Sequence, residues 1–131
     1  MIAVDTSVLA RFIVEDDSEQ TNRADALFRR AAAKGLSIFV SDVVLCELVW
    51  VLATAYKVPR AEIASALANL TRAKQIEIGN ADLVYRALAA YRAGKGDFAD
   101  YVIREHALAA GCSSVATFDK RLWAEPVFAK A

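Results

Sequence analysis

Short apolar runs alternate with helix-length amphipathic stretches along the whole chain. Ile2 to Val4 reads as a buried strand, and Asp5-Thr6-Ser7 as a polar turn leading into a helix. An alanine-rich helix is expected from about Glu19 to Lys34, stopped by Gly35. Ile38-Phe39-Val40 reads as a second strand, with Ser41 and Asp42 as candidate N-caps for an apolar helix from Val43 to Tyr56. Pro59 suits the opening turn of a further helix to about Arg72. Ile76 to Ile78 is a short strand, and Asn80 starts a helix to Arg92. Gly94-Lys95-Gly96 breaks the chain before a helix from Asp97 to Ala110, which Gly111 ends. Ser114 to Thr117 forms the next strand, and Val127-Phe128 a last edge piece.

Strands separated by helices argue for an α/β fold, with a parallel sheet covered by helices on both faces. In such sheets ligands bind at the carboxyl ends of the strands. The 131 residues are expected to form a single domain (1–131) with one core. The 56% hydrophobic and 24% charged residues exclude a disordered chain. No apolar run approaches the roughly 20 residues that span a bilayer. The N-terminus has no basic segment followed by an apolar signal core, so no membrane association and a cytoplasmic location are expected. Cys46 and Cys112 lie among apolar or small residues and read as buried free thiols of a reducing compartment.

Four acidic sites change this picture. Asp5 and Asp119 close strand-like stretches, while Glu47 and the Asp97/Asp100 pair sit on helix-like ones with few nearby bases. Carboxylates without counter-charges in apolar surroundings are costly to bury, and gathering them around a cation offsets that cost. Asp5 could equally cap the helix that follows it, in competition with Thr6 or Ser7. Glu47 has Val43, Val44, Trp50 and Val51 as its helical neighbours, so it is either exposed or meets something positive across the fold. Asp97 and Asp100 share a helix face and repel each other unless a cation or the helix start stabilises them. Plain capping, with Arg104 pairing to Asp100, is the alternative. Together these oxygen ligands suit Mg²⁺ or Mn²⁺.

The remaining candidates are weaker. His106, the single histidine, has no marked nucleophile beside it and reads as structural or surface. Arg29-Arg30 and Arg92/Lys95 are solvated faces or phosphate contacts. The helix carrying Trp50 and Tyr56 is apolar almost all round, which suggests a subunit or partner interface. Charge is balanced at 16 basic and 16 acidic residues. Nucleic-acid binding would therefore rest on local basic patches, a bound metal or an oligomeric groove.

Val4-Asp5-Thr6-Ser7, Ser41 to Glu47 ahead of an apolar helix, Asp97-Phe98-Ala99-Asp100-Tyr101-Val102-Ile103 and Thr117-Phe118-Asp119 resemble, in order and spacing, the PIN-domain family. The branch they resemble is that of the VapC-type toxins of type II toxin–antitoxin pairs. The resemblance implies a three-layer α/β/α sandwich around a central parallel sheet and a Mg²⁺- or Mn²⁺-dependent endoribonuclease that uses a metal-activated water. It carries Asp5, Glu47 and Asp119 over as acidic site residues, with Asp97 and Asp100 both alignable to a further position. Thr6 and Thr117 become supporting hydroxyls. It also implies an RNA substrate, a small cognate antitoxin, and a homodimer or higher oligomer. The rival readings are a PIN nuclease outside toxin–antitoxin systems, a catalytically silent PIN-like module binding RNA or protein, and a metal-dependent phosphatase.

Overall fold

The computed structural model describes residues 1–16 and 18–131. They form two compact units, Met1–Ala81 and Asp82–Ala131. The expected α/β class and parallel pairing are present in both, with the strands divided between two ladders.

In the first unit, β1 (Ile2–Ala3), β2 (Ile38–Val40) and β3 (Ile76–Ile78) pair side by side in parallel. Their register aligns Ile2 with Ile38, and Ile38 with Ile76. Parallel neighbours need long crossovers. Here α1 (Thr6–Ile13) and α2 (Glu19–Ala33) join β1 to β2, and α3 (Asp42–Thr54) and α4 (Arg60–Arg72) join β2 to β3. Leu9, Ile38, Val40, Leu45, Leu48 and Leu67 are essentially fully buried, and Phe12 stacks on Phe28 at 3.8 Å.

Local chemistry sets the element boundaries. Of the two candidate caps ahead of α3, Ser41 does the capping: its Oγ accepts from Val44 N at 3.2 Å, and Asp42 is already helical. Pro59 stands just before α4 rather than inside it, in extended backbone (ψ 149°). Gly35 follows α2 at φ +68°, a conformation glycine takes without steric cost.

The second unit holds α5 (Ala81–Ala93, opening at the boundary), α6 (Phe98–Ala109), β4 (Val115–Thr117), a 3₁₀ turn (Lys120–Leu122) and β5 (Phe128–Lys130). β4 and β5 pair in parallel, Val115 with Phe128. The final strand starts one residue later than the sequence suggested, because Val127 sits at φ +75°, outside the β region. Its carbonyl still accepts from Val115 N at 3.0 Å.

The glycine loop before α6 is fixed by one buried phenol. Tyr101 Oη accepts from Gly96 N at 2.8 Å and donates to Glu125 Oε1 at 2.7 Å. The other oxygen of Glu125 accepts from Lys95 N at 3.2 Å. A Cβ at Gly94 would collide with Tyr101 Oη and Glu125 Oε1, and one at Gly96 would lie 2.6 Å from Leu122 Cδ2. Both glycines are thus required by close approach. Tyr101→Phe removes the hydroxyl bonded to Gly96 N and Glu125 Oε1, and is expected to cost about 1–3 kcal/mol. A melting temperature lowered by several degrees in thermal denaturation would show this. Gly94→Ala should lower it at least as far, and an unchanged value in both would remove the loop anchor from the account.

Candidate active site

The start of α1 organises the acidic pair of the first unit. Asp5 is its N-cap, with Oδ1 accepting from Val8 N at 3.1 Å and from Ser7 Oγ at 2.7 Å. These bonds, Ser7 first and the Val8 amide second, hold the exposed carboxyl below its ordinary range. Capping and an ionised, fixed carboxylate are here the same fact. Thr6, the first residue of α1, donates from Oγ1 to Glu47 Oε1 at 3.2 Å. Glu47 is exposed on α3, flanked on the same face by Val43 and Trp50, which are 65% and 68% exposed. It is the open-face alternative that holds, with a hydroxyl rather than a base beside the carboxylate.

Cys46 gives no nucleophile here. Burial, then the charges of Asp42 and Glu47, push its thiol up to about 11, so it is protonated at neutral pH. Both cysteines are free, but Cys46 is only half-buried and Cys112 is exposed, correcting the expectation that both are buried. It lies just past the end of α6, where Gly111 turns the chain at φ +93°.

The second unit gathers Asp97, Asp100 and Asp119. Asp97 occupies the N-cap position of α6 without a side-chain capping hydrogen bond; its backbone N donates to Asp100 Oδ2 at 2.8 Å, while Asp100 N donates to the Asp97 carbonyl at 3.0 Å. Burial raises the Asp100 carboxyl above its ordinary range. The charges of Asp97 and Asp119 add to the rise, while the Asp97 amide and Arg121 oppose it. Asp119 caps the 3₁₀ turn and accepts from Arg121 through Nε at 3.1 and 3.2 Å and through Nη2 at 2.7 Å. That side-chain contact, then the Arg121 amide, holds Asp119 below its ordinary range. Thr117 Oγ1 accepts from Asp119 N at 3.0 Å, fixing the turn that presents the carboxylate.

Two contacts could not be read from spacing. Arg104 does not pair with Asp100. It meets buried Glu105 at 3.2 Å and lies over the rings of Tyr101 and Phe128. Glu105 takes a second arginine, Arg86, at 2.8 Å. Arg121 stands two residues after Asp119 in sequence, and its guanidinium forks onto Asp119 and lies 3.9 Å from Asp97. Phe118, just past β4, is 84% exposed. His106 is exposed on the last turn of α6.

Hard carboxylate oxygens fit a divalent cation in kind. Their arrangement does not yet complete a site: among the described residues, no group of three His, Cys, Asp or Glu side chains could hold a metal ion. In the second unit the positive charge beside Asp119 is supplied by Arg121.

Comparison with known proteins gives this acidic pattern a family. A VapC ribonuclease of Aquifex aeolicus (strain VF5) is 26% identical over 121 residues, covering 92% of this chain and 89% of that protein. The crystal structure of Mycobacterium tuberculosis VapC20, described as a sarcin–ricin loop cleaving toxin, is 20% identical. The likeness covers 90% of this chain and 88% of that one, with a TM-score of 0.46. The PIN domain matches residues 2–126, a span that includes all of the acidic positions above. The chain therefore belongs to the PIN-domain family.

Proposed function

We propose that this chain is a metal-dependent endoribonuclease, the toxin of a type II toxin–antitoxin pair, acting as a single PIN-like domain over residues 1–131. The observation that carries the reading is the pair Asp5 and Glu47: exposed carboxylates joined to the start of α1, in a chain matched over 92% of its length to a VapC ribonuclease. Asp5, Glu47, Asp97, Asp100 and Asp119 are the proposed ligands of Mg²⁺ or Mn²⁺. Such an ion supplies a more acidic water and a counter-charge for the phosphoryl oxygens.

The protein's own groups do the rest. Ser7 and the Val8 amide keep Asp5 ionised and aimed, and Thr6 orients Glu47. Thr117 and the 3₁₀ turn set Asp119, while Arg121 neutralises it. One of these carboxylates is also the proposed general base that accepts a proton.

RNA is the proposed substrate and a small antitoxin the proposed partner. Val43 and Trp50, exposed on α3, are the proposed contact of a homodimer or higher oligomer. No helix among the described residues is long and apolar enough to cross a membrane, and a cytoplasmic location completes the proposal.

Purified protein incubated with a mixed panel of structured and single-stranded RNA should cleave it with Mn²⁺ or Mg²⁺. A chelator should stop the reaction, and so should Asp5→Asn, since asparagine caps a helix as well as aspartate does. Cleavage retained in that variant would sink the reading. Arg121→Ala removes a competing cation at an exposed pair, so Mn²⁺ should bind about two- to fivefold tighter by calorimetry. Weaker binding would make Arg121 a support for the site instead.

A further inference from the structure

Between α1 and α2 lies a groove of about 540 Å³, lined by Ser7, Arg11, Glu19, Asn22, Arg23 and Arg30 among others. We propose that this groove holds the sugar–phosphate backbone of the RNA strand, with Arg23 and Arg30 as its phosphate contacts. The inference rests on the ribonuclease reading and adds to it where the strand lies.

Three observations support it. Arg23 and Arg30 are seven residues apart on α2, so they share a face two turns apart. Both are exposed, and neither pairs with a carboxylate among the described residues, whereas Arg11 is held by Asp16 at 2.8 Å. In a chain with 16 basic and 16 acidic residues, two guanidinium groups that form no ion pair among the described residues, with Glu19 the carboxylate lining the same groove, are where a polyanion gains most. Finally, Ser7 belongs both to the groove and to the catalytic proposal, since its hydroxyl is bonded to Asp5. A strand seated in the groove therefore reaches the residue proposed to act on it. Val8, Ala24, Ala26 and Leu27 also line the groove, and beside them the planar guanidinium forks and the Asn22 amide are the groups that suit phosphate and sugar oxygens. The same geometry separates Arg30, which lines the groove, from its neighbour Arg29, which does not.

The test uses a fluorescein-labelled single-stranded RNA and fluorescence anisotropy, with the Asp5→Asn protein so that the strand stays intact. Arg23→Ala/Arg30→Ala in that background should weaken binding at least tenfold. It should also flatten the slope of log affinity against log salt by about 1.4, at about 0.7 per contact to a single strand. Arg23→Lys/Arg30→Lys should keep most of that slope, which separates lost charge from lost folding. Arg29→Ala should leave affinity and slope unchanged.

Unchanged RNA affinity in the alanine pair would overturn the inference while leaving the ribonuclease reading in place. Unchanged RNA affinity combined with lost binding of a polyglutamate peptide would assign the groove to an acidic protein segment, and would also overturn it. If the wild type neither cleaves nor binds any RNA of the panel, the ribonuclease reading itself falls.

Discussion

A helix start leaves amide groups without partners, and four of the five acidic residues stand at such starts. Asp5 and Asp119 cap through their carboxylates, Asp97 stands at the N-cap position, and Asp100 occupies the first turn of α6. Position at a helix start stabilises a negative charge and holds it in place. The first turn of α1 matters most, because it fixes two carboxylates at once. Its Val8 amide and Ser7 hydroxyl hold Asp5, and its Thr6 hydroxyl holds Glu47 on another helix. Ser7 also reaches into the groove between α1 and α2, so one turn of helix links ligand, support and proposed substrate path.

The second unit sets its carboxylates by a different device. Tyr101 and Glu125 fasten the glycine loop from which α6 departs, and that departure places Asp97 and Asp100. Charge is then handled residue by residue. Buried Glu105 is balanced by Arg86 and Arg104, and Asp119 by Arg121. Asp100 is left with raised proton affinity beside two other carboxylates. That contrast separates a structural acid from candidates for chemistry better than burial does, since Glu105 is the most buried of the group.

Much of this was legible in the sequence because it is local. Apolar runs bounded by glycine, proline and cap residues located the helices and strands, and the carboxylates stood out because no base lay at helical spacing from Glu47. What was not legible is tertiary. The pairing of Arg104 with Glu105 rather than Asp100 follows from the packing of its guanidinium over Tyr101 and Phe128. The fork of Arg121 onto Asp119 depends on a 3₁₀ turn too short to leave a periodic signal. Val127 shows the same limit: its apolar side chain suggests strand, and only its positive φ moves the strand onward. Of the arginine pair of α2, Arg30 was legible beside Arg29 as a solvated face or phosphate contact, while Arg23 was not, because a groove needs the second helix to exist.

The claim that joins these parts is that Asp5 and Glu47, the exposed carboxylates bonded to the first turn of α1, are held in place for a divalent cation. Calorimetric titration of Mn²⁺ into the wild type and into Asp5→Asn tests it most directly, with circular dichroism to confirm that both are folded. The account predicts saturable binding to the wild type and affinity at least tenfold weaker in the variant. Equal affinity in the two proteins would contradict it, leaving Asp5 as a helix cap and nothing more.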